Sequence, residues 1–132
     1  MQKSIKIILV FLIFMMSSSY TRAQTQQPNL NTEIIGTWIA EDEPNYKLVF
    51  SQDGHMKTYF SNVISSDFIY SITTLCSGQT LTADYNIFLK LIDTENNSTY
   101  CNFLNGIHTD SSGVKTLSIR SERGKLTLYT KQ

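Results

Sequence analysis

Short runs in which apolar and polar residues alternate follow one another along the chain from residue 34 onward. In the run 46–51, for example, Tyr46, Leu48 and Phe50 alternate with a second set that includes Lys47 and Ser51. A period of two places the two sets on opposite faces of a strand, and β-branched and aromatic residues favour strands. The pattern predicts eight strands, at residues 34–40, 46–51, 55–61, 67–75, 87–93, 98–104, 114–119 and 125–130.

Each predicted strand has one apolar face, which we expect to point into a common core. In the last two strands, this face is expected to carry Leu117 with Ile119 and Leu126 with Leu128.

The links between the strands are short and polar. Asp53-Gly54 is a strong hairpin signal, and further turns are predicted at 95–97, 111–113 and 122–124. Short links join antiparallel neighbours, and pairing the first strand with the last removes both exposed sheet edges. The sequence therefore predicts an all-β fold, an eight-stranded antiparallel up-and-down barrel. A two-sheet β-sandwich is the alternative.

The first 23 residues have the three parts of a secretory signal peptide. Lys3 and Lys6 precede an unbroken apolar run at 7–16, and small residues lead to a cleavage point after Ala23. A membrane-spanning helix needs about 20 apolar residues, so we expect no stable anchor after cleavage. A polar lead-in at 24–33, in which one short helical turn can form, would precede a barrel domain at 34–132. We expect an exported protein, periplasmic or extracellular.

Charge and cysteine content narrow the class of protein further. Loss of the leader leaves a net charge near −3, which makes nucleic acid an unfavourable partner. Cys76 and Cys101 both survive cleavage and would meet an oxidising compartment, so we expect a disulfide between them; two inert buried thiols are the alternative. Such a bridge would fix the irregular connection at 76–85, which is a candidate lid.

Several motifs together resemble a known family. Gly36-Thr37-Trp38 opens the first strand, Asp53-Gly54 follows the second, and a hairpin at 117–129 closes the chain. Their order and spacing resemble those of small lipocalin-like (calycin) proteins exported by bacteria. The resemblance implies structural roles for Gly36 and for Trp38, which would plug the closed barrel end. It also implies that an arginine, Arg120 or Arg123, packs over the Trp38 ring.

An eight-stranded barrel has an interior wide enough for its own side chains or for one small ligand. The resemblance favours a binding protein for a small, mostly apolar ligand, with a dry, packed core as the alternative. The candidate lining is drawn from the inward faces of the predicted strands: Leu48, Phe50, Phe60, Tyr70, Ile72, Leu89, Leu91 and Tyr100.

No catalytic or metal signature stands out. A zinc site draws three or four ligands from His, Cys and carboxylates, whereas the chain has two histidines, His55 and His108, and its cysteines are expected to be bridged. No G-x-S-x-G elbow is present. The acidic residues at 41–43 fit a solvated barrel rim. We therefore expect no enzyme, no metal and no cofactor.

A second function class needs no cavity at all. The protein can instead be a non-catalytic protein–protein interaction module or inhibitor that presents the loops 76–85 and 104–113 on a rigid barrel. An exposed apolar patch that includes Ile107 or Leu81 would favour a protein partner over a ligand.

Overall fold

The structure, a computed structural model, describes residues 29–81 and 87–132. A short helix, α1 (Leu30–Glu33), precedes eight strands. The strands are β1 (Gly36–Ala40), β2 (Tyr46–Phe50), β3 (His55–Phe60), β4 (Val63–Thr73), β5 (Phe88–Asp93), β6 (Thr99–Thr109), β7 (Lys115–Arg120) and β8 (Leu126–Lys131). The predicted leader, its cleavage point and residues 24–28 lie outside the described residues. Within 29–81 and 87–132, no helix is long and apolar enough to cross a membrane.

The strands form a closed barrel in sequence order. Each pairs antiparallel with the next, and β1 pairs with β8 through Trp38↔Lys131 and Ala40↔Tyr129. The structure thus confirms the eight-stranded up-and-down barrel and not the sandwich. The end of the barrel beside α1 is called the α1 end. The other end, where the β1–β2, β3–β4, β5–β6 and β7–β8 links lie, is called the open end.

Strands β4 and β6 are longer than predicted. A two-residue turn at Ser61 and Asn62, with φ of 48° and 67°, joins β3 directly to Val63. Positive φ at both central residues is the geometry of a type I′ hairpin, for which Ser-Asn is a weak sequence signal. Strand β6 passes a bulge between Leu104 and Gly106 and continues to Thr109. The prediction of a loop at 104–113 was therefore wrong, because most of this segment belongs to β6.

The residues on the inward face of β8 also differ from those predicted. The register pairs Leu117 with Tyr129 and, two residues away, Ile119 with Thr127. Since Leu117 and Ile119 are buried in the core, Thr127 and Tyr129 point inward, and Leu126 and Leu128 point outward. The prediction that these leucines face the core was wrong, because alternation gives the period of a strand but not its phase.

The disulfide Cys76–Cys101 is present, with a Cα–Cα distance of 5.8 Å. Both sulfurs lie in a small apolar cluster with Phe88, against which Leu81 and Phe103 pack. Cys101 and Phe88 alternate with the inward residues of β6 and β5, so this cluster lies on the outer wall of the barrel. The described part of the 76–85 connection therefore covers that wall rather than the open end, contrary to the lid expectation; residues 82–86 lie outside the described residues.

Candidate functional site

The barrel interior differs between its two halves. Toward the α1 end it is filled: Trp38 and Phe50 are fully buried, and the Phe50 and Tyr70 rings meet edge to face at 5.0 Å. Toward the open end lies a cavity of about 210 Å³. Its lining comes from seven of the eight strands: Tyr46, Leu48, Met56, Thr58, Phe68, Leu89, Leu91, Tyr100, Asn102, Ile119 and Tyr129. The first residue of β2 and the second residue of β6 belong to this lining, so the cavity reaches the rim.

The predicted lining residues fall into three places. Leu48, Leu89, Leu91 and Tyr100 line the cavity. Phe50, Tyr70 and Ile72 belong to the filled half or pack against it. Phe60 lies opposite Tyr46 at the end of β3 and is half exposed at the rim. The alternating pattern identifies inward faces, but the depth of a residue along a tilted strand depends on register, which the pattern does not contain.

Sequence reasoning missed seven lining residues. Tyr46 and Phe68 lie on predicted apolar faces, as does Ile119, but were not selected. Thr58 and Asn102 are polar, so hydrophobic periodicity could not mark them. The register shows that both point inward, because Thr58 lies opposite Leu48 and Asn102 lies opposite Leu89. The other two, Met56 and Tyr129, follow from the register in the same way.

Tyr46 and Tyr129, two of the three tyrosines in the lining, give the cavity a polar but uncharged wall. Burial raises the pKa of Tyr46, nearby Glu43 adds to the effect, and a hydrogen bond with Thr58 opposes it. Burial also raises the pKa of Tyr129, well above the ordinary value of 10.0, and the proximity of Tyr46 acts in the same direction. Both hydroxyls therefore keep their protons at neutral pH and can donate or accept hydrogen bonds.

Formal charge is confined to the surroundings of the cavity. None of the eleven lining residues is Asp, Glu, Lys or Arg. The link between β1 and β2 carries Glu41, Asp42 and Glu43 at the open end, and Asp42 and Glu43 are near enough to raise the pKa of Tyr129. An anion entering the cavity would pass these carboxylates and lose its hydration in a site without a cation. The cavity therefore favours neutral molecules.

The α1 end is closed by Trp38 and Lys131. The indole Nε1 of Trp38 donates to the carbonyl of Ile34 at 2.7 Å, and Lys131 Nζ lies 5.0 Å from the Trp38 ring centroid. The same ammonium donates to the Glu33 carbonyl at 2.8 Å. Gly36 leaves room for this side chain, since a Cβ there would lie 3.0 Å from Lys131 Cε.

The cation over Trp38 is thus a lysine of β8, whereas the family resemblance implied Arg120 or Arg123. Arg120 pairs with Leu126, the first residue of β8, while Lys131 is its last. Five strand residues span about 17 Å, so Arg120 lies near the open end. Arg123 is in the link between β7 and β8 at that end. Lys131 therefore takes the role that the resemblance implied for an arginine, and it does so from the opposite end of the β7–β8 hairpin.

The two histidines are not brought together. His55 Nδ1 lies 2.9 Å from Asp67 Oδ1 on the outer wall of β3 and β4. His108 lies on the outer wall of β6, opposite Thr116. Neither histidine lines the cavity. In the part of the chain that the structure describes, no group of three or more His, Cys, Asp and Glu side chains could hold a metal ion.

The residues named for an apolar interaction patch are partly buried. Ile107 packs against the main core, and Leu81 packs against the disulfide cluster. A different apolar group is exposed at the tip of the β3–β4 hairpin, where Phe60, Val63 and Ile64 are 50%, 68% and 52% exposed. This group, called the hairpin tip, stands at the open end.

Comparisons with known proteins give no significant match, whether to protein-family models, to curated proteins or to solved structures. The closed eight-stranded antiparallel barrel is compatible with a calycin-like fold.

Proposed function

We propose that this protein is an exported, non-catalytic, lipocalin-like binding protein that holds one small, neutral, mostly apolar ligand in the open half of its barrel. The observation that carries the proposal is the cavity of about 210 Å³, which is lined by apolar and tyrosine side chains and reaches the rim. A few polar groups in a mostly apolar concave site are typical of small-molecule sites.

The volume limits the size of the ligand. Small-molecule pockets usually measure about 300–1,000 Å³, and a buried apolar cavity of about 150 Å³ binds benzene. A cavity of about 210 Å³ therefore suits a ligand somewhat larger than benzene, with about nine non-hydrogen atoms. One substituted aromatic ring fits this limit, whereas a long-chain lipid exceeds it.

Two further features support the lipocalin-like and exported parts of the proposal. Gly36 and Trp38 act together at the closed end with a cation from the last strand, as the family resemblance implies, although the cation is Lys131. The Cys76–Cys101 disulfide is compatible with an oxidising compartment.

Native mass spectrometry of the oxidised protein, purified from its own host, tests the proposal. We expect a small molecule that stays bound in the native spectrum and is lost on denaturation. In Leu91→Trp, the indole fills the cavity and should abolish copurification. In Lys90→Trp, the neighbouring residue on the outer wall changes, and copurification should persist. A ligand-free parent protein, or a ligand that Leu91→Trp retains, would count against the proposal.

A second candidate function is that of a protein–protein interaction module, and the exposed hairpin tip is the observation that favours it. A photo-crosslinking residue at Ile64 tests this candidate in the native host. The photo-crosslinking residue at position 126 is a matched control, because the native side chains Ile64 and Leu126 are both 52% exposed. A discrete crosslinked product from position 64 alone would support the module, and equal labelling from both positions would reject it.

A further inference from the structure

Asn102 stands out among the residues that line the cavity. It lies on the inward face of β6, opposite Leu89, and between two other inward residues, Tyr100 and Leu104. Leu89 and Leu104 are buried in the core. An amide at this position is therefore set into an otherwise apolar stretch of wall.

Two of the tyrosine hydroxyls in the lining have partners within the protein. The Tyr46 hydroxyl bonds to Thr58, and the Tyr129 hydroxyl bonds to Thr127. The Asn102 side chain, by contrast, has no hydrogen-bond partner among residues 29–81 and 87–132. Its amide offers one carbonyl acceptor and an NH₂ group with two donors. These groups face the cavity, where a bound molecule can reach them.

The group that best satisfies an asparagine amide is another amide. A primary carboxamide or a lactam presents a carbonyl oxygen and an N–H side by side, so it can receive one hydrogen bond and return one. A carboxylate presents two acceptors and no donor, and a hydrocarbon presents neither. The site is therefore selective by the number and order of its hydrogen bonds as well as by size.

The surroundings of Asn102 suit a flat ligand. The Phe68 and Tyr100 rings meet edge to face, with centroids 6.1 Å apart, on strands β4 and β6. Leu91 lies opposite Tyr100 on the intervening strand β5. An aromatic ring among these side chains can gain edge and stacking contacts while its substituent reaches Asn102.

We propose that Asn102 determines ligand specificity, and that the ligand is a neutral aromatic or cyclic molecule bearing a carboxamide or lactam edge. This inference rests on the proposed function, because it concerns the same cavity. It adds the chemical class of the ligand and names one residue, Asn102, that recognises it.

Three probes of about nine non-hydrogen atoms separate the inference from the proposed function. Benzamide carries the full amide edge, acetophenone replaces its NH₂ group by a methyl group, and cumene has no polar atom. Binding of each is measured by NMR titration of the oxidised protein. The variant is Asn102→Leu. The control is Asn105→Leu, which changes an exposed asparagine of the same strand.

We expect Asn102→Leu to weaken benzamide binding about tenfold, the loss of two neutral hydrogen bonds, and to change cumene binding by less than about twofold. The ratio of benzamide to acetophenone affinity should fall in the same variant, and Asn105→Leu should behave like the parent. A readout on the parent protein does not depend on the variant folding: benzamide should move the Asn102 side-chain N–H resonances downfield relative to cumene, because only benzamide accepts a hydrogen bond from that group.

The outcomes distinguish the two proposals. If cumene binds in the cavity and benzamide binding does not depend on Asn102, the specificity role is wrong and the binding function stands. If none of the three probes binds in the cavity, the binding function fails, and the specificity role fails with it.

Discussion

Lys131 connects three elements at the α1 end of the barrel. Its ammonium contacts two groups, the Trp38 ring and the carbonyl of Glu33, the last residue of α1. Gly36, at φ 130°, provides the space. Burial and the nearby Lys115 lower the pKa of Lys131, and Glu33 opposes this effect. One side chain therefore ties the last strand to α1 and to the first strand.

Replacement of Lys131 should show this role. We expect Lys131→Met to lower the free energy of unfolding by about 1–2 kcal/mol, because the Glu33 carbonyl loses its charged donor and the ring loses its cation. Lys131→Arg should keep most of that stability. Urea unfolding followed by fluorescence measures both, since Trp38 is the single tryptophan of the chain. Equal loss in both variants would contradict this role, because it would show that a positive charge at this position does not preserve stability.

The cavity tyrosines predict how stability depends on pH. Tyr46 and Tyr129 have pKa values raised above their ordinary value of 10.0, so between the unfolded and folded pKa values the folded chain binds more protons than the unfolded chain. Their contribution is complete below about pH 10 and is lost as the pH rises further. The lowered pKa of Lys131 acts in the opposite sense just below 10.5.

We therefore expect Tyr129→Phe to reduce the loss of stability between pH 9 and pH 11. Urea unfolding at a series of pH values measures this slope. Tyr59→Phe removes one phenol from the outer wall, where Lys47 lies over its ring, and reports the effect of losing a tyrosine outside the cavity. The same slope in Tyr129→Phe and the parent would contradict the argument.

At the scale of elements, the register of the β7–β8 hairpin has a direct energetic consequence. Leu117 is fully buried, whereas Leu126 is half exposed on the outer wall. We expect Leu117→Ala to lower the free energy of unfolding by about 2–5 kcal/mol. Leu126→Ala should change it by no more than about 0.5 kcal/mol. Denaturant unfolding measures both. A large cost at Leu126 would mean that β8 presents its leucines to the core, as the hydrophobic pattern predicts.

The disulfide links another pair of elements on the outer wall. It joins the β4–β5 connection to β6 across a sequence separation of 25 residues. The chain-entropy model gives a stabilisation of about 3–4 kcal/mol for a loop of this size. The double variant Cys76→Ser, Cys101→Ser should lose about this amount against the oxidised parent. The free energy of unfolding of the reduced parent should be close to that of the double variant. A double variant that unfolds at the midpoint of the oxidised parent would reject the estimate.

Which elements the sequence could predict follows from the kind of signal each carries. All eight strands were predictable because alternation marks them locally. The starting point of β4 was not, because a Ser-Asn turn carries weak information compared with Asn-Gly. The inward position of Asn102 was not predictable either, since a polar residue gives no hydrophobic signal and only its pairing with Leu89 assigns it to the interior.

At the scale of the whole molecule, the barrel combines a packed half with an open half. The closed topology was predictable, because eight antiparallel strands with short links remove both sheet edges by closure. The cavity was not, because its volume depends on how the side chains of seven strands fill one space. The packed half around Trp38 fixes the scaffold, and the open half contains the cavity in which we propose that a ligand binds.

The most direct test of this account is an NMR measurement of intermolecular nuclear Overhauser effects between bound cumene and the oxidised protein. We predict contacts to Leu91, Tyr46 and Tyr129 that disappear in Leu91→Trp and persist in Lys90→Trp. Contacts to Ile64 at the hairpin tip, or saturating addition of cumene without any contact to the cavity, would contradict the claim that the open half of the barrel is a ligand site.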